Sequence, residues 1–320
     1  MTITEFREKN DERYAINMKK NRLISVVMPV YNGGKMLSDS IESVLNQTYD
    51  NIELIIVNDY STDNTESIID NYASKDSRVV KINNPRNLKL PATLNVGFQR
   101  AEGEYWTWTS ADNKYKPTAI ATMAEIMDNN TEVGFVYANF TAIDSNGNVL
   151  YERELESSDS LQYGNCIGAC FLYKKECAIK AGQYDITLFL AEDYDYWIRL
   201  SRETKIHHIN ESLYYYRRHE NSLTSTRETE ISIQTYKVLE KHFLYLYGLL
   251  QSSKDKIRFL DVLNLYSQKM SDTERQFVLG RLCKVYPKYG ACLKYRKIHH
   301  SIGKTWMGDV WRKIKRYSTR

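Results

Sequence analysis

Two carboxylates in this 320-residue chain follow apolar segments, where a folded sheet would present them at its edge. Asp59 comes after the apolar run 52–57, and Asp112 comes after the shorter apolar segment 105–108. An acid at the end of a buried strand can accept a hydrogen bond from a uracil imide or a ribose hydroxyl. The carboxylate of Asp112, with its hydroxyl and amide neighbours, suits a divalent cation that bridges to phosphates. Taken alone, Asp112 is explained equally well by helix capping.

A third acidic cluster, Glu192, Asp193 and Asp195, lies at the start of a predicted helix beside aromatic residues. The helix dipole favours acids in a first turn, so capping explains some of them. Three acids exceed what capping requires, and we expect a general base among them. The dipole would weaken such a base by stabilising its ionised form, whereas burial against Trp197 would oppose that effect.

Two further segments carry groups that can bind a ligand. Residues 29–32 offer backbone amides and carbonyls at a strand end, and Tyr31 can stack on a flat ring. A turn with a surface tyrosine is the simpler interpretation of that segment. Residues 216–222 combine two cations with His219, a combination suited to a diphosphate or a metal ion. A basic surface turn explains this segment equally well.

The elements that would position these groups alternate between strand and helix. The predicted strands are residues 23–30, 52–57, 79–82 and 105–108, and helical patterns follow each of them. This alternation predicts an α/β fold with an open, mostly parallel sheet and helices on both faces. Right-handed crossovers place the strand-to-helix loops on one edge of such a sheet, where ligands bind. We therefore expect the loops 29–35, 58–65 and 109–116 to form the site.

Three regions are expected along the chain. Residues 1–22 form a polar lead-in, residues 23–229 form the α/β domain, and residues 230–320 are a helical, basic C-terminal region. The longest apolar run, residues 243–250, is far shorter than the roughly 20 residues of a membrane-spanning helix. No N-terminal apolar stretch resembles a secretion signal, so we expect the chain in the cytoplasm. Five cysteines without a CxxC spacing indicate reduced thiols rather than disulfides or a zinc site.

Charge is distributed unevenly along the chain. Residues 281–320 hold twelve Lys or Arg and one acid, whereas the whole chain has a formal net charge of only +4. Within this stretch Trp311, Ile314 and Tyr317 recur at helical spacing among cations, a pattern typical of an interfacial amphipathic helix. We expect residues 294–320 to contact the inner face of a membrane. A solvated basic tail is the alternative.

In this order, the motifs resemble those of the family-2 glycosyltransferases of the GT-A fold, over about residues 22–225. Residues 24–32 (ISVVMPVYN) resemble the family's opening strand and loop, and residues 40–49 resemble the helix after it. Residues 58–63 (NDYSTD) match the D-D-G-S-x-D loop, with Asp59 at the base-reading acid. Residues 103–105 precede the D-x-D strand, and residues 192–197 (EDYDYW) match the E-D-x-D-x-W helix.

The chain also departs from the family pattern at three places. Ser110-Ala111-Asp112 stands where the family has D-x-D, so only the last acid remains. Leu94 precedes Asn95 where the family commonly has Arg-Asn, which removes a cation near the nucleotide. In the second loop, Asn58 and Tyr60 replace an Asp and a Gly.

The resemblance implies an enzyme that transfers a sugar from a nucleotide-sugar donor, first of all a UDP-sugar, with inversion at the anomeric carbon. The acceptor would be a hydroxyl of a glycan or lipid-linked molecule in cell-surface polysaccharide synthesis. Asp193 would be the base, with Glu192 as the second candidate, and Asp112 would bind Mg²⁺ or Mn²⁺. The nucleotide-binding residues would be Pro29, Tyr31, Asn32, Asp59, Asn95, Ser110 and Ala111. His219 would complete the metal shell, and Trp197 and Arg218 would contact the acceptor or the diphosphate.

Three alternatives belong to other classes of protein. A nucleotidylyltransferase would need a Gly-rich basic N-terminal loop, for which residues 32–35 are a poor match. A non-catalytic nucleotide-binding module with a decayed metal site is suggested by Ser110. A nucleic-acid binder would use the basic tail, but the first 280 residues are acidic overall and lack interleaved aromatic and basic strands, so we expect no nucleic-acid partner.

Overall fold

The computed structural model describes residues 21–220 and 222–287, and the chain divides into two compact units between Glu220 and Asn221. The first unit contains every strand of the described chain, whereas the second is built from helices. The predicted lead-in falls largely outside the described residues. The basic segment 294–320 lies wholly outside them.

Strands and helices alternate through the first half of the first unit, and the sequence-predicted α/β fold is confirmed. The strands are β1 (Ile24–Val30), β2 (Ile52–Asn58), β3 (Val79–Asn83), β4 (Tyr105–Trp108), β5 (Lys114–Tyr115), β6 (Val133–Ile143), β7 (Val149–Arg153), β8 (Cys170–Lys174) and β9 (Lys205–Arg217). The helices are α1 (Leu37–Leu45), α2 (Thr65–Ala73), α3 (Leu90–Arg100), α4 (Ala119–Asn129), α5 (Lys175–Ala181) and α6 (Glu192–Leu200). A 3₁₀ helix spans Ser158–Tyr163.

The strands form one sheet in the order β3-β2-β1-β4-β8-β6-β9-β5, with β7 paired to β6. Strands β1 to β4 are parallel, as their crossover connections predict. Beyond β4 the sheet is mixed, because β8 runs antiparallel to both β4 and β6, while β6 and β9 run parallel to each other. Sequence reasoning had identified only the first four strands.

This topology gathers the loops of the site at one edge of the sheet. Because β6 and β9 run in the same direction as β1 to β4, the carboxyl ends of all six strands face the same way. The amino end of β8 faces that way too, because β8 runs in the opposite direction, as do β5 and β7. We call this edge, with the loops after β1, β2, β3, β4, β6 and β9 and the segment before β8, the site edge.

The core explains why β1 and β2 read as continuous apolar runs. Every residue of β1 is buried, and β2 is buried except at Glu53. A parallel strand in the middle of a sheet is covered on both faces, so it cannot alternate apolar and polar residues. The helix α1 adds Leu37, Ile41 and Val44 to this core.

The second unit has a core of its own. Its helices are α7 (Leu223–Thr226), α8 (Glu228–Lys241), α9 (Phe243–Leu249), α10 (Ser253–Tyr266) and α11 (Asp272–Val285), so the predicted helical character is confirmed for this part. A capping box between Ser271 and Glu274 starts α11. Across the described ranges of both units, no helix has the length and hydropathy that crossing a bilayer requires.

Gly97 sets how closely α3 approaches the sheet, and its replacement tests this packing. A Cβ at Gly97 would lie 2.4 Å from Val27 Cγ1 and 3.2 Å from Val57 Cγ2. We expect Gly97→Ala to lower the free energy of unfolding by about 1–3 kcal/mol, because the helix must shift away from β1 and β2. Urea unfolding followed by tryptophan fluorescence measures the change.

The control for this prediction is Gly248→Ala in α9, where an added Cβ would meet nothing within 4 Å. Alanine is the better helix former, so this variant should be as stable as the parent or slightly more so. Equal stability of Gly97→Ala and the parent would contradict the packing that the structure shows.

Candidate functional site

The loops after β1 and β2 are joined by hydrogen bonds through the side chain and backbone of Asn32. Asn32 Oδ1 accepts from the Thr62 N–H at 2.8 Å, and the Asn32 N–H donates to Ser61 Oγ at 3.0 Å. The Gly33 N–H donates to Thr65 Oγ1 at 2.9 Å. The sequence-predicted nucleotide residue Asn32 thus holds two loops of the site edge together.

Pro29 and Tyr31 occupy very different environments. Pro29 lies inside β1, opposite Val57 of β2, and it is buried. A proline is tolerated there because the pairing of β1 with β4 ends at Val27 and Trp108, so no ladder bond to β4 requires its missing N–H. Tyr31, two residues further on, is 54% exposed, so its ring is accessible to a ligand.

Asp59 is buried, and its carboxylate is hydrogen-bonded to the loop after β3. Oδ1 accepts from Asn84 Nδ2 at 2.8 Å and from the Leu88 N–H at 2.7 Å, and Oδ2 accepts from the Lys89 N–H at 3.0 Å. An ionised carboxylate has about four acceptor positions. Asp59 therefore fixes the loop between β3 and α3, and about one acceptor position is left for a ligand.

Backbone strain is concentrated at the loops of the site. Four described non-glycine residues have positive φ angles: Asn32 at 52°, Tyr60 at 66°, Lys89 at 71° and Leu190 at 80°. Three of them follow β1, β2 and β3, and Leu190 lies two residues before the start of α6. Such conformations are unfavourable for residues with a Cβ and persist only where surrounding contacts impose them.

Asp112 and His219 form a polar pair in the loops after β4 and β9. His219 Nε2 lies 3.0 Å from Asp112 Oδ2, and the two side chains are 16% and 30% exposed. The other oxygen, Asp112 Oδ1, is buried and has no hydrogen-bond partner. A buried carboxylate oxygen without a partner is costly, so it indicates a position where a cation fits.

Asp112 and His219 suit a metal ion that a substrate helps to hold, rather than one that the protein binds alone. No group of three or more His, Cys, Asp or Glu side chains could hold an ion among residues 21–220 and 222–287. Mg²⁺ keeps several waters and is commonly bound by one or two carboxylates together with substrate phosphates. Asp112 Oδ1, with His219 beside it, meets that requirement but not that of a permanently bound ion.

Arg217, which sequence reasoning did not select, holds the loop of Asp112 in place. Its side chain is 4% exposed, and Nε donates to the Asp112 backbone carbonyl at 2.9 Å. Nη1 donates to the Ser145 carbonyl at 3.0 Å, and Nη2 to Asp39 Oδ2 at 3.1 Å. The Arg217 N–H also donates to Asn113 Oδ1 at 2.8 Å. The signal for this residue was present in the basic segment 216–222, but its partners lie far away in sequence.

The remaining candidate residues of segments 110–112 and 216–222 make the following contacts. Ser110 Oγ accepts from Asn113 Nδ2 at 3.2 Å, and Ala111 packs partly against the core. A Cβ at Gly33 would lie 3.4 Å from the Ala111 Cβ, so the loops after β1 and β4 are neighbours. Arg218 Nη1 donates to the hydroxyl of Tyr151 at 3.2 Å, on β7.

Glu192 and Asp193 begin α6. Glu192 is buried and Oε2 accepts from the Leu190 N–H at 2.6 Å. Burial, and then the negative charge of Asp193, raise the pKa of Glu192 to about 8, so this carboxyl is protonated at neutral pH. Burial also raises the pKa of Asp193, although it is partly exposed to solvent.

Asp193 is oriented by a residue that the sequence gave no reason to select. Its Oδ2 accepts from Asn165 Nδ2 at 2.9 Å, and its Oδ1 accepts from the Tyr194 N–H at 2.7 Å. Asn165 lies in the segment before β8, at the site edge. The helix start is thereby tied to the same edge as Asp59 and Asp112, which β2 and β4 position.

The other polar residues of α6 are structural. Asp195 is fully buried and accepts a hydrogen bond from Arg199 Nε at 2.8 Å. Trp197 is 1% exposed, and its ring centroid lies 4.6 Å from that of Phe171 and 5.0 Å from that of Phe135. The expectation that Trp197 contacts the acceptor is therefore corrected: its ring packs in the aromatic core and anchors the helix.

The side chain of Asn95 is hydrogen-bonded to the segment that leads into α6. Its Nδ2 donates to the Tyr184 carbonyl at 2.9 Å, and its Oδ1 accepts from the Tyr184 N–H at 2.8 Å. The Tyr184 hydroxyl accepts from Trp108 Nε1 at 3.0 Å, at the end of β4. Asn95, a predicted nucleotide residue, thus attaches the segment before α6 to the site edge.

A cavity of about 420 Å³ lies at the opposite edge of the sheet. It is lined by the amino end of β4 and the carboxyl end of β8, together with Arg22 and Asp128. The Arg22 guanidinium is paired with Glu104 and with Asp128. None of the sequence-predicted site residues lines this cavity.

The fold and the edge location of the carboxylates define the class: this is a GT-A glycosyltransferase fold. Staphylococcus aureus TarS 1–349 in complex with UDP-GlcNAc is similar, with a TM-score of 0.55 and 15% identity, over 85% of this chain and 92% of that chain.

 This chain covers 50% of a longer TarS chain. A mannosyltransferase of Pyrobaculum calidifontis, in complex with GDP-Man and Mn²⁺, is similar with a TM-score of 0.54 and 14% identity, over 93% of this chain and 85% of that one.

Sequence comparison identifies the family. The family model of glycosyl transferase family 2 matches residues 25–182. An uncharacterized glycosyltransferase of Rickettsia typhi is 32% identical over 71% of this chain and 74% of that relative. The glycosyltransferase GlyG of Streptococcus pneumoniae is 30% identical over 79% of this chain and 92% of that relative. The chain belongs to glycosyltransferase family 2, as its motifs predicted.

The raised pKa of Glu192 predicts how stability depends on pH. The folded state binds this proton more tightly than the unfolded state, in which the pKa is near the usual 4.5. The resulting stabilisation is complete below pH 4.5 and is lost as the pH rises through about 8. We therefore expect Glu192→Gln, which cannot ionise, to gain stability relative to the parent between pH 5 and pH 9. Urea unfolding at several pH values measures this difference.

Glu176→Gln is the matched control, because Glu176 is an exposed acid in the first turn of α5. Its stability relative to the parent should stay constant over the same pH range. A constant difference for Glu192→Gln as well would show that Glu192 does not hold a proton in the folded state.

Proposed function

We propose that the chain transfers a glycosyl group from a nucleotide-sugar donor to an acceptor hydroxyl, with inversion at the anomeric carbon. The observation that carries this proposal is the placement of two pairs of side chains, Asp112 with His219 and Glu192 with Asp193, at one sheet edge. Asp112 and His219 can hold a cation, whereas Glu192 and Asp193 provide one protonated carboxyl and one candidate base. Donor activation and acceptor deprotonation need these two kinds of group.

The donor would bind between the loops after β1, β2 and β3. Tyr31 presents an exposed ring for stacking, and Asp59 retains about one acceptor position for a base or ribose N–H or O–H. A UDP-sugar is the first candidate. The similar structures were solved with UDP-GlcNAc and with GDP-Man, so they support a nucleotide-sugar donor without choosing its base.

The diphosphate of the donor would lie beside Asp112. Asp112 Oδ1 would be the ligand of a Mg²⁺ or Mn²⁺ ion, and His219 would complete its shell or orient the carboxylate. Such an ion, when bound, neutralises charge on the leaving diphosphate. Arg218 directly precedes His219 in the loop after β9, and its positive charge would stabilise the diphosphate.

Asp193 is the proposed general base. It would accept the proton of the acceptor hydroxyl while the hydroxyl oxygen bonds to the anomeric carbon and the bond to the diphosphate oxygen breaks. Glu192 is buried and protonated at neutral pH, so it is the weaker candidate. Asn165 positions the Asp193 carboxylate through the hydrogen bond to Oδ2. Binding donor and acceptor together at one edge contributes further through proximity.

The acceptor is proposed to be a glycan or a lipid-linked molecule of cell-surface polysaccharide synthesis. The support is the excess of cations in residues 281–320, which favours an anionic surface such as the inner face of a cell membrane. The chain would then act in the cytoplasm, in peripheral contact with the membrane through residues 294–320. That segment lies outside the described residues.

A second candidate function is a nucleotide-binding module without activity, which the replacement of the first D-x-D acid by Ser110 favours. This module would bind a nucleotide sugar but would not release a nucleoside diphosphate. An activity assay over a panel of donors separates the two functions.

Asp193→Asn tests the proposed reaction. The amide cannot accept the acceptor proton, so we expect kcat to fall by about 100-fold or more, as for the loss of a general base. Binding of the donor should change little, because the donor contacts are made by other loops. Release of nucleoside diphosphate in the presence of acceptor, and donor binding by calorimetry, measure the two quantities.

Glu176→Gln serves as the control here too, because this first-turn acid lies at the opposite edge of the sheet and should leave kcat unchanged. The proposal would be contradicted by an Asp193→Asn variant that is folded, binds the donor and transfers sugar at the parent rate. Tight nucleotide binding without turnover in the parent would favour the module.

A further inference from the structure

Tyr60 is a second exposed tyrosine at the site edge, and its role is not set by the motifs. Its side chain is 56% exposed, close to the 54% of Tyr31. Tyr60 directly follows Asp59, whose carboxylate fixes the loop after β3. An exposed ring gains little from packing against the protein's own core.

The backbone of Tyr60 is strained. Its φ of +66° lies in the left-handed region, where a bulky side chain is a genuine outlier and glycine is the preferred residue. The side chain therefore makes folding less favourable at this position, and its exposure offers little packing in return. Strain of this kind occurs preferentially at ligand-binding sites.

Neighbouring hydrogen bonds impose this conformation. Asn58 Oδ1 accepts from the Ser61 N–H at 3.0 Å, which closes the turn around Tyr60. The Asp59 N–H donates to the Val30 carbonyl at 2.8 Å, which fixes the residue before Tyr60 against β1. The backbone position of Tyr60 is thus set by the hydrogen bonds of its neighbours.

A further hydrogen bond joins the residues that follow Tyr60 and Tyr31 in the chain. Ser61, the residue after Tyr60, accepts at 3.0 Å from the N–H of Asn32, the residue after Tyr31. Each tyrosine therefore directly precedes one of the two residues that this hydrogen bond joins. Two accessible rings on hydrogen-bonded loops, one of which also carries Asp59, suit a flat, hydrogen-bonding ligand.

We propose that Tyr60 is a donor-binding residue that stacks on the nucleobase of the donor, opposite or beside Tyr31. This inference rests on the proposed function, which supplies the nucleotide. Stacking would bind any base, since every base has a π-face, whereas Asp59 would select among bases by hydrogen bonding. The strain at Tyr60 is then maintained for binding.

Substitution of Tyr60 separates binding from stability. We expect Tyr60→Gly to raise the Kd for UDP by roughly 5- to 100-fold, the range for loss of one base–aromatic stack. The thermal unfolding midpoint should be unchanged or higher, because glycine adopts this φ without strain. Tyr60→Phe should retain the parent Kd for UDP, because stacking needs the ring and not the hydroxyl. Tyr60→Leu should bind UDP as weakly as the glycine variant.

Inorganic pyrophosphate, which has no base, is the control ligand. With the same Mg²⁺ concentration, its Kd should be equal for the parent and Tyr60→Gly, measured by calorimetry beside UDP and GDP. An equal Kd for UDP in these two proteins would overturn the inference and leave the proposed function intact. A large fall in the unfolding midpoint would also overturn it, because the ring would then be structural. A parent that binds none of the three ligands would overturn both.

Discussion

The site depends on a buried guanidinium. Arg217 is almost completely shielded from solvent, and it donates to the carbonyl of Asp112, to the carbonyl of Ser145 in the loop after β6, and to Asp39 in the first turn of α1. A cation is costly to bury unless its donors are satisfied, and these partners satisfy most of them. Arg217 thereby joins two loops and the start of α1 into one support for the Asp112 carboxylate, whose Oδ1 is left without a partner.

Polar residues at this edge divide into those that hold loops and those that remain free for chemistry. Asn32 and Asn95 direct their side-chain amides to the backbone of neighbouring segments, and Asp59 uses most of its acceptor positions in the same way. What remains accessible is sparse, namely the tyrosine rings and the carboxylates of Asp112 and Asp193. A pre-organised site needs both kinds of residue, because free groups act well only when their loops are rigid.

The sequence was informative where contacts are local. The strands β1 to β4 and their helices follow from apolar runs and helical periodicity, and the D-D-G-S-like loop and the acidic helix were recognisable as motifs. The partners of the site residues are non-local, and no pattern reveals them: Arg217 contacts Asp112 across 105 positions, and Asn165 contacts Asp193 across 28. The burial of Trp197 was also hidden, because an aromatic residue in a motif can serve the core as readily as a ligand.

The central claim is that Asp112, supported by Arg217 and His219, marks the position of the donor diphosphate. A crystal structure of the chain with UDP and Mn²⁺ tests this claim most directly. The account predicts an ion within about 2.5 Å of Asp112 Oδ1 that also contacts the diphosphate. An ion and diphosphate bound away from Asp112, for example in the cavity beside Arg22 at the opposite edge, would contradict it.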